Sequence, residues 1–304
     1  MNEVSRYLTE EVVVDYADGL ISRRDALNRL ALLGVATAAA MPMLVACDAK
    51  REQSSPPPAT PAASTPANPS APAGPPALAT EAITFPGAEN RTLQGAFAKA
   101  QSPKGSVLVI HENRGLTDHI KSVAGRLAAS GFNALAIDLL SAEGGTAKYT
   151  DPAQATAALN AAPPARFIAD LKAGIDELLR RGVGTKVGVT GFCFGGGQTW
   201  ALLNAGDPRI NAAIPFYGPA PDNPDFTGSP NAKVLGIYGE LDERVNASRD
   251  RAQAALAKAG LTHDMVTFPG ANHAFFNDTG ARYDQKSATE AYRRVLDWFG
   301  RYLA

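Results

Sequence analysis

From Thr80 to the C-terminus the chain alternates short β-branched runs with amphipathic helical stretches, and this alternation constrains the fold more than any other feature. Strands that return through helices lie parallel and need cover on both faces, so the pattern predicts an α/β domain with a mostly parallel central sheet. "AITF" and "GAFAKA" read as an opening antiparallel pair, and "SVLVIHE" as a buried strand. "DHIKSVAGRLAASG" reads as a helix stopped at Gly131, and "FNALAID" as a strand ending at Asp138. A polar, glycine-containing loop and a short helical stretch lead to "PARFIADLKAGIDELLRRG", the strongest helix signal. Then come "KVGVT", a turn and the helix "QTWALLNAG", the strands "NAAIPFYG" and "KVLGIYG", and a helix to about Gly260. The strand "DMVTFPG" and a final helix "SATEAYRRVLDWFGRYLA" complete the domain, with no internal repeat.

The residues ahead of this domain have a different character. "SRRDAL", Ser22 to Leu27, precedes an Ala/Leu-rich run that ends in "LVAC", Leu44 to Cys47. This resembles a twin-arginine export signal joined to a bacterial lipoprotein cleavage box. The resemblance implies that residues 1–47 are an export signal cut after Ala46, that Cys47 is lipidated, and that the chain is anchored at the periplasmic face of the inner membrane. Asp48 resembles the signal that keeps lipoproteins there. The stretch before Arg23 is long for such a leader, so an uncleaved anchor helix or a cytoplasmic amphipathic helix stands as the alternative. Residues 48–79 are dominated by Pro, Ala, Ser and Thr and predict an extended spacer, or a disordered stretch with no positional role. Residues 80–304 form the catalytic domain. Hydrophobic residues make up 45% and charged residues 19% of the 304, an ordinary globular balance, and a net charge of -1 leaves no basic field for nucleic acid. A small molecule is the expected partner, and nothing in the sequence speaks to oligomeric state.

The junction "GFCFGGG", Gly191 to Gly197, follows a strand and opens a helix. A phosphate-binding loop needs Lys and then Ser or Thr where Gly197 and Gln198 stand. Cys193 reads either as a buried structural cysteine in a tight turn or as the nucleophile of a G-x-C-x-G elbow. A free thiol titrates near ~8.5, and a helix N-terminus favours the thiolate. Partners follow in the order acid, then histidine, each after a strand: Asp242 in "ELDERV" after "KVLGIYG", and His273 in "ANHAF" after "DMVTFPG". Taken singly, Asp242 reads as a helix N-cap and His273 as a loop histidine. Together with Cys193 they form a candidate triad. His263 starts a strand and His119 starts a helix, so neither has the required setting. His111 and Glu112 close "SVLVIHE" on the same sheet edge, where a buried carboxylate requires a partner.

"HENRG", "GFCFGG", "YGELD" and "NHAFFN" give the stretch from Thr80 to Ala304 a resemblance to the dienelactone hydrolase family of α/β-hydrolases. The resemblance implies an α/β-hydrolase fold in which Cys193 is the nucleophile, Asp242 the acid, His273 the base and Glu112 the carboxylate paired with the resting thiol. The backbone N–H groups of Phe194 and Asn113 would hold the oxyanion. The implied reaction is cleavage of a small ester or lactone through a thioester acyl-enzyme. With Cys47 lipidated, Cys193 is the sole thiol and has no disulfide partner. The family holds its substrate carboxylate with an arginine in the loop after the strand ending at Asp138 and another four residues beyond the histidine. Here the loop "LLSAEGGTAKY" has none and the later position is Asn277. Arg114 and Arg282 are candidate substitutes, although isolated arginines are commonly solvated surface charges. Tyr217 is a candidate pocket residue, and Trp200 reads as core. No metal-ligand spacing appears and no cofactor is expected. A noncatalytic lipoprotein that binds a ligand on the same fold is the alternative function, and a thiol redox protein ranks below it for want of a CxxC.

Overall fold

The strand runs of the sequence form one sheet in the computed structural model, which describes residues 1–54, 71–182 and 186–304. The main body runs β1 Glu81–Pro86, β2 Thr92–Ala98, β3 Gly105–Ile110, α4 Asp118–Ala129, β4 Phe132–Asp138, α5 Pro152–Ala161 and α6 Pro164–Arg181. It continues with β5 Val187–Phe192, α7 Phe194–Asn204, β6 Ile210–Phe216, β7 Lys233–Gly239, α8 Glu243–Asn246, α9 Arg249–Lys258, β8 His263–Phe268 and α10 Gln285–Leu303. Ahead of it stand α1 Glu3–Ala17, α2 Arg23–Leu32 and α3 Thr37–Ser54.

The eight strands lie in the order β1-β2-β4-β3-β5-β6-β7-β8. β2 is antiparallel to β1 and to β4, and every other neighbouring pair is parallel. The central strands are apolar throughout because helices cover both faces: every residue of β3, β4 and β5 is buried. Edge strand β1 buries only Ile83 and Phe85, in alternation. α6 and α7 pack together on one face. α4 and α10 lie on the other, tied by a 3.0 Å contact between Ser130 Oγ and Tyr292 Oη. The amphipathic stripe of α6 buries Phe167, Leu171, Ile175 and Leu178, and α10 does the same with Ala288, Ala291, Val295 and Phe299. The chain winds one way from β3 to β4 and then crosses to β5 on the other side of β3, so the C-terminal ends of β3 and β5 flank the switch point where α/β sheets open a binding crevice.

Two expectations change in detail. The helix expected to run to about Gly260 is two, α8 and α9, broken where Ser248 Oγ takes Ala220 N–H at 3.0 Å and donates to Val245 O at 2.8 Å. Of the spacer read at 48–79, residues 55–70 lie outside the described residues, 48–54 end α3, and the segment from residue 71 onward is docked on the body. There Arg126 Nη1 donates to Ala73 O at 2.7 Å and Tyr283 Oη to Ala71 O at 2.7 Å. The stretch read as a leader is helical and folded: Asn2 caps α1, and Ser22 with Asp25 forms a reciprocal capping box on α2. These helices pack on one another, α1 also against α5 and α7, and α2 against α5. Among the described residues no helix is long and apolar enough to cross a membrane.

Candidate active site

The turn from β5 into α7 places Cys193 at a backbone angle φ of 58°, in the left-handed region that residues other than glycine seldom adopt. Its N–H is held by Phe216 O at 3.1 Å. The glycines are there because backbones touch. A Cβ on Gly195 would stand 2.3 Å from Ile110 O, and one on Gly196 would stand 2.2 Å from Phe216 O. The start of α7 is thereby pressed onto the ends of β3 and β6, with Cys193 at the crevice and Phe194 at the first helical position, where backbone N–H groups have no partner within the helix.

Asp242 makes both of the contacts that its two readings require. As N-cap of α8, its Oδ1 accepts from Val245 N–H at 3.3 Å, while Oδ2 stands 2.6 Å from His273 Nδ1. Burial opposes ionisation of Asp242, yet His273, Arg244 and the Val245 N–H together hold the carboxyl below its usual range. His273, 1% exposed in the loop after β8, turns Nε2 toward the sulfur. Asp242, His273 and Cys193 are thus brought together from three strand ends.

Glu112 follows β3 at the same edge and is buried. Its Oε2 accepts from Asn277 Nδ2 at 2.6 Å and its Oε1 has no partner. The resting pair between this carboxylate and the thiol is therefore not what the structure contains. Asn277 takes the glutamate, and the Tyr7 hydroxyl donates to Cys193 Sγ at 3.0 Å. Tyr217, also at positive φ, sets its ring 5.1 Å from the His273 ring, so it walls the site as well as the core. Trp200 is core, its ring tilted against Phe226 with centroids 5.4 Å apart. Asn113 anchors the opposite side of the crevice through its carbonyl, which accepts from Thr156 Oγ1 at 2.9 Å. His111 is structural: Nδ1 meets Glu112 O at 2.6 Å and Nε2 accepts from Leu139 N–H at 3.1 Å. His119 pairs with Asp278 and His263 with Leu261 O, away from the triad.

Three functional side chains were missed by sequence reasoning: Tyr7, Glu11 and Arg244. α1 crosses the crevice with Tyr7 on the sulfur and Glu11 Oε1 3.4 Å from His273 Nε2. Arg244, on α8, pairs with Glu11 and lies 4.5 Å from the Tyr7 ring centre. Arg282 is not the solvated charge its isolation suggested. Its side chain is 9% exposed and holds Asp15 at 3.0 Å and Asp18 at 2.7 Å. Arg114 lines a small cavity beside Glu11 and Asn113. The sequence signals for α1 were the length of chain before Arg23 and its apolar positions, neither of which names the surface it covers.

The charges explain the protonation of the site. Burial pushes the Cys193 thiol up and Glu11 adds to it, while His273 works the other way. The thiolate-favouring setting expected from the helix N-terminus is overridden in this arrangement. Burial disfavours the His273 imidazolium, but Glu11 on one side and Asp242 on the other hold it well above the usual histidine value. Among the described residues, Glu11, Cys193 and His273 are the one group able to hold a metal ion, with ligand atoms all within 4.8 Å of one another.

Comparison with known proteins agrees with this fold. The sequence profile described as "Dienelactone hydrolase family" matches residues 93–303. A Methylorubrum extorquens protein named as a carboxymethylenebutenolidase is 35% identical over 215 residues, covering 66% of this chain and 73% of the relative. An Escherichia coli protein of the same name is 33% identical over 220 residues, covering 67% of this chain and 79% of its own. The crystal structure of a Klebsiella pneumoniae protein named as a dienelactone hydrolase superposes with a TM-score of 0.63 at 29% identity, covering 74% of this chain and 100% of that one.

Proposed function

Because this chain belongs to the dienelactone hydrolase family and is a hydrolase of the ester or lactone type, we propose that Cys193, His273 and Asp242 carry the reaction through a thioester acyl-enzyme on a small carboxylic ester or lactone. The observation that carries the reading is the convergence of three strand ends: Asp242 2.6 Å from His273 Nδ1, and a His273 ring nitrogen within 4.8 Å of the sulfur of a cysteine held at φ 58°. In this reading His273 takes the thiol proton as Sγ attacks the carbonyl carbon, and the Phe194 and Asn113 N–H groups hold the oxyanion. Collapse of the tetrahedral adduct breaks the carbon–oxygen bond, and His273 gives its proton to the departing alkoxide. Water then attacks the thioester with His273 as base, releasing the acid and restoring the thiol. Asp242 keeps the imidazole in the tautomer that presents Nε2. Asn277 stands where the family places an arginine and is engaged with Glu112, which favours a substrate that does not depend on that clamp. The sequence also supports export and lipidation at Cys47, with a place at the periplasmic face of the inner membrane.

The test is turnover of short aryl esters and lactones by the full chain beside Cys193→Ala, with mass spectrometry of acid-quenched enzyme. The expected result is loss of activity by about 10⁴-fold and an acyl adduct on the Cys193 peptide of the parent alone. Retained turnover in Cys193→Ala would remove the cysteine from the mechanism.

A further inference from the structure

The crevice that the mechanism needs is already occupied. The acyl carbon must reach Cys193 Sγ, and the Tyr7 hydroxyl already lies against the sulfur at 3.0 Å. The thiol proton must reach His273 Nε2, and the Glu11 carboxylate lies 3.4 Å from that nitrogen. α1 also divides the space between the two expected oxyanion donors. On one flank Tyr7, Phe194 and Gln198 help line a cavity of about 440 Å³, and on the other Glu11, Asn113 and Arg114 help line one of about 20 Å³. Neither cavity is lined by Cys193 or His273. Cys193 is 3% exposed, so in this conformation no ester reaches the sulfur.

We propose that α1 is an intramolecular plug that fills the substrate cleft of the resting chain, and that turnover requires it to leave. This rests on the reading of Cys193 as nucleophile. A helix that completed the site would leave a path to the sulfur and an unblocked Nε2, and α1 leaves neither. With Asp242 at 2.6 Å from Nδ1 and Glu11 at 3.4 Å from Nε2, the protonated imidazole is favoured over the neutral form that a base requires. The hydrolase body does not need the helix: the family profile begins at residue 93, and the Klebsiella pneumoniae structure is covered over its whole length by 74% of this chain.

The attachment is mixed. Leu8 and Val12 bury an apolar edge, and ion pairs flank it: Glu11 with Arg244 and Asp15 with Arg282 are largely buried, Asp18 with Arg282 less so, and Arg6 with Asp222 is exposed. The exposed pair holds little, and the buried pairs hold only while both partners stay in place, so α1 is released by a cut in the chain or by a charge set on its buried edge. A cut between Ala46 and Cys47, the junction of the export reading, would sever α1 and α2 from the body together with part of α3.

The test compares the full chain with Leu8→Asp, which places a charge on a fully buried edge of α1, and with the milder double variant Tyr7→Ala/Glu11→Ala should Leu8→Asp fail to fold. Two readouts are taken: alkylation of Cys193 by iodoacetamide, followed on its own peptide, and turnover of an aryl ester. We expect both to rise at least tenfold over the parent, with the far-UV spectrum of the body retained. Faster alkylation with no turnover in either the parent or the variant would support the plug and remove the hydrolytic reading of the triad. Unchanged alkylation in a folded variant, or turnover that falls while alkylation rises, would overturn the plug, the latter making α1 a working part of the site.

Discussion

Gly195→Ala tests how the elbow is held. The added Cβ would stand 2.3 Å from Ile110 O and 2.6 Å from His111 O, whereas real Cβ contacts essentially never fall below 3.0 Å. Elbow and strand must therefore part by about 0.7 Å at the least. Neither obstacle is a flexible side chain. Both are backbone atoms at the end of β3, which is locked between β4 and β5. Overpacking of a core costs roughly 1–3 kcal/mol, and rigid neighbours put this case near about 3 kcal/mol. For a domain of this size that lowers the melting temperature by roughly 6–12 °C. A nucleophile displaced by nearly an ångström loses about 10²-fold in rate. The matched control is Gly197→Ala, two residues on in the same helix, whose Cβ would meet nothing closer than Pro219 Cδ at 3.6 Å. Alanine there gains about 0.5–1 kcal/mol of helix stability. Calorimetry and ester turnover of the two variants, both with α1 detached by Leu8→Asp, should diverge in opposite directions. Equal melting temperatures and equal rates would refute the claim that backbone contact dictates glycine at 195.

Replacing Asn277 by Leu removes the hydrogen bond to Glu112 Oε2, and because Oε1 is already without a partner, the buried carboxylate is left bare. The expected loss is about 2 kcal/mol in urea unfolding, and adding Glu112→Gln should restore roughly half of it; no recovery would mean that the cost is packing, not charge. A pH effect follows from His273, whose folded value is raised by Glu11 and Asp242 despite burial, with the Cys193 thiol, the Tyr217 phenol and Asp15 also beside it. A raised histidine adds stability that is complete below its unfolded value of about 6.5 and is lost as pH climbs through the folded value. The stability gap between the parent and His273→Gln should therefore narrow as pH rises above about 6.5. A gap that widens over that range would contradict the imidazolium.

The body of the fold was legible because its signals are local. β3, β4 and β5 are buried on both faces and read as unbroken apolar runs, and α6 and α10 show their buried stripes at helical spacing. The elbow was legible for a related reason: glycines packed around a cysteine at a strand-to-helix junction have few uses. What remained hidden were pairings that depend on who faces whom. Glu112 was expected on the sulfur and meets Asn277, a choice made by the loop after β8, whose path no periodicity describes. The break between α8 and α9 turns on Ser248, which meets a carbonyl and an N–H from two different segments.

The N-terminal helix shows the limit most clearly. The apolar positions of α1, Tyr7, Leu8, Val12 and Tyr16, indicate that one face is buried, but an amphipathic pattern never names the surface that buries it. The contact that matters joins Tyr7 to Cys193 across 186 positions of chain. The same blindness made Arg282 look like a solvated charge, since its partners Asp15 and Asp18 lie on that helix. Position 277 is governed by a facing contact of the same kind. Two of the cations beside this cleft, Arg244 and Arg282, are paired in the closed chain with Glu11 and Asp15 of α1 and with Asp18 at its C-cap. Asparagine at 277 instead meets a carboxylate of the body, Glu112, and an amide that donates to it at 2.6 Å satisfies that buried group without adding a charge to the cleft.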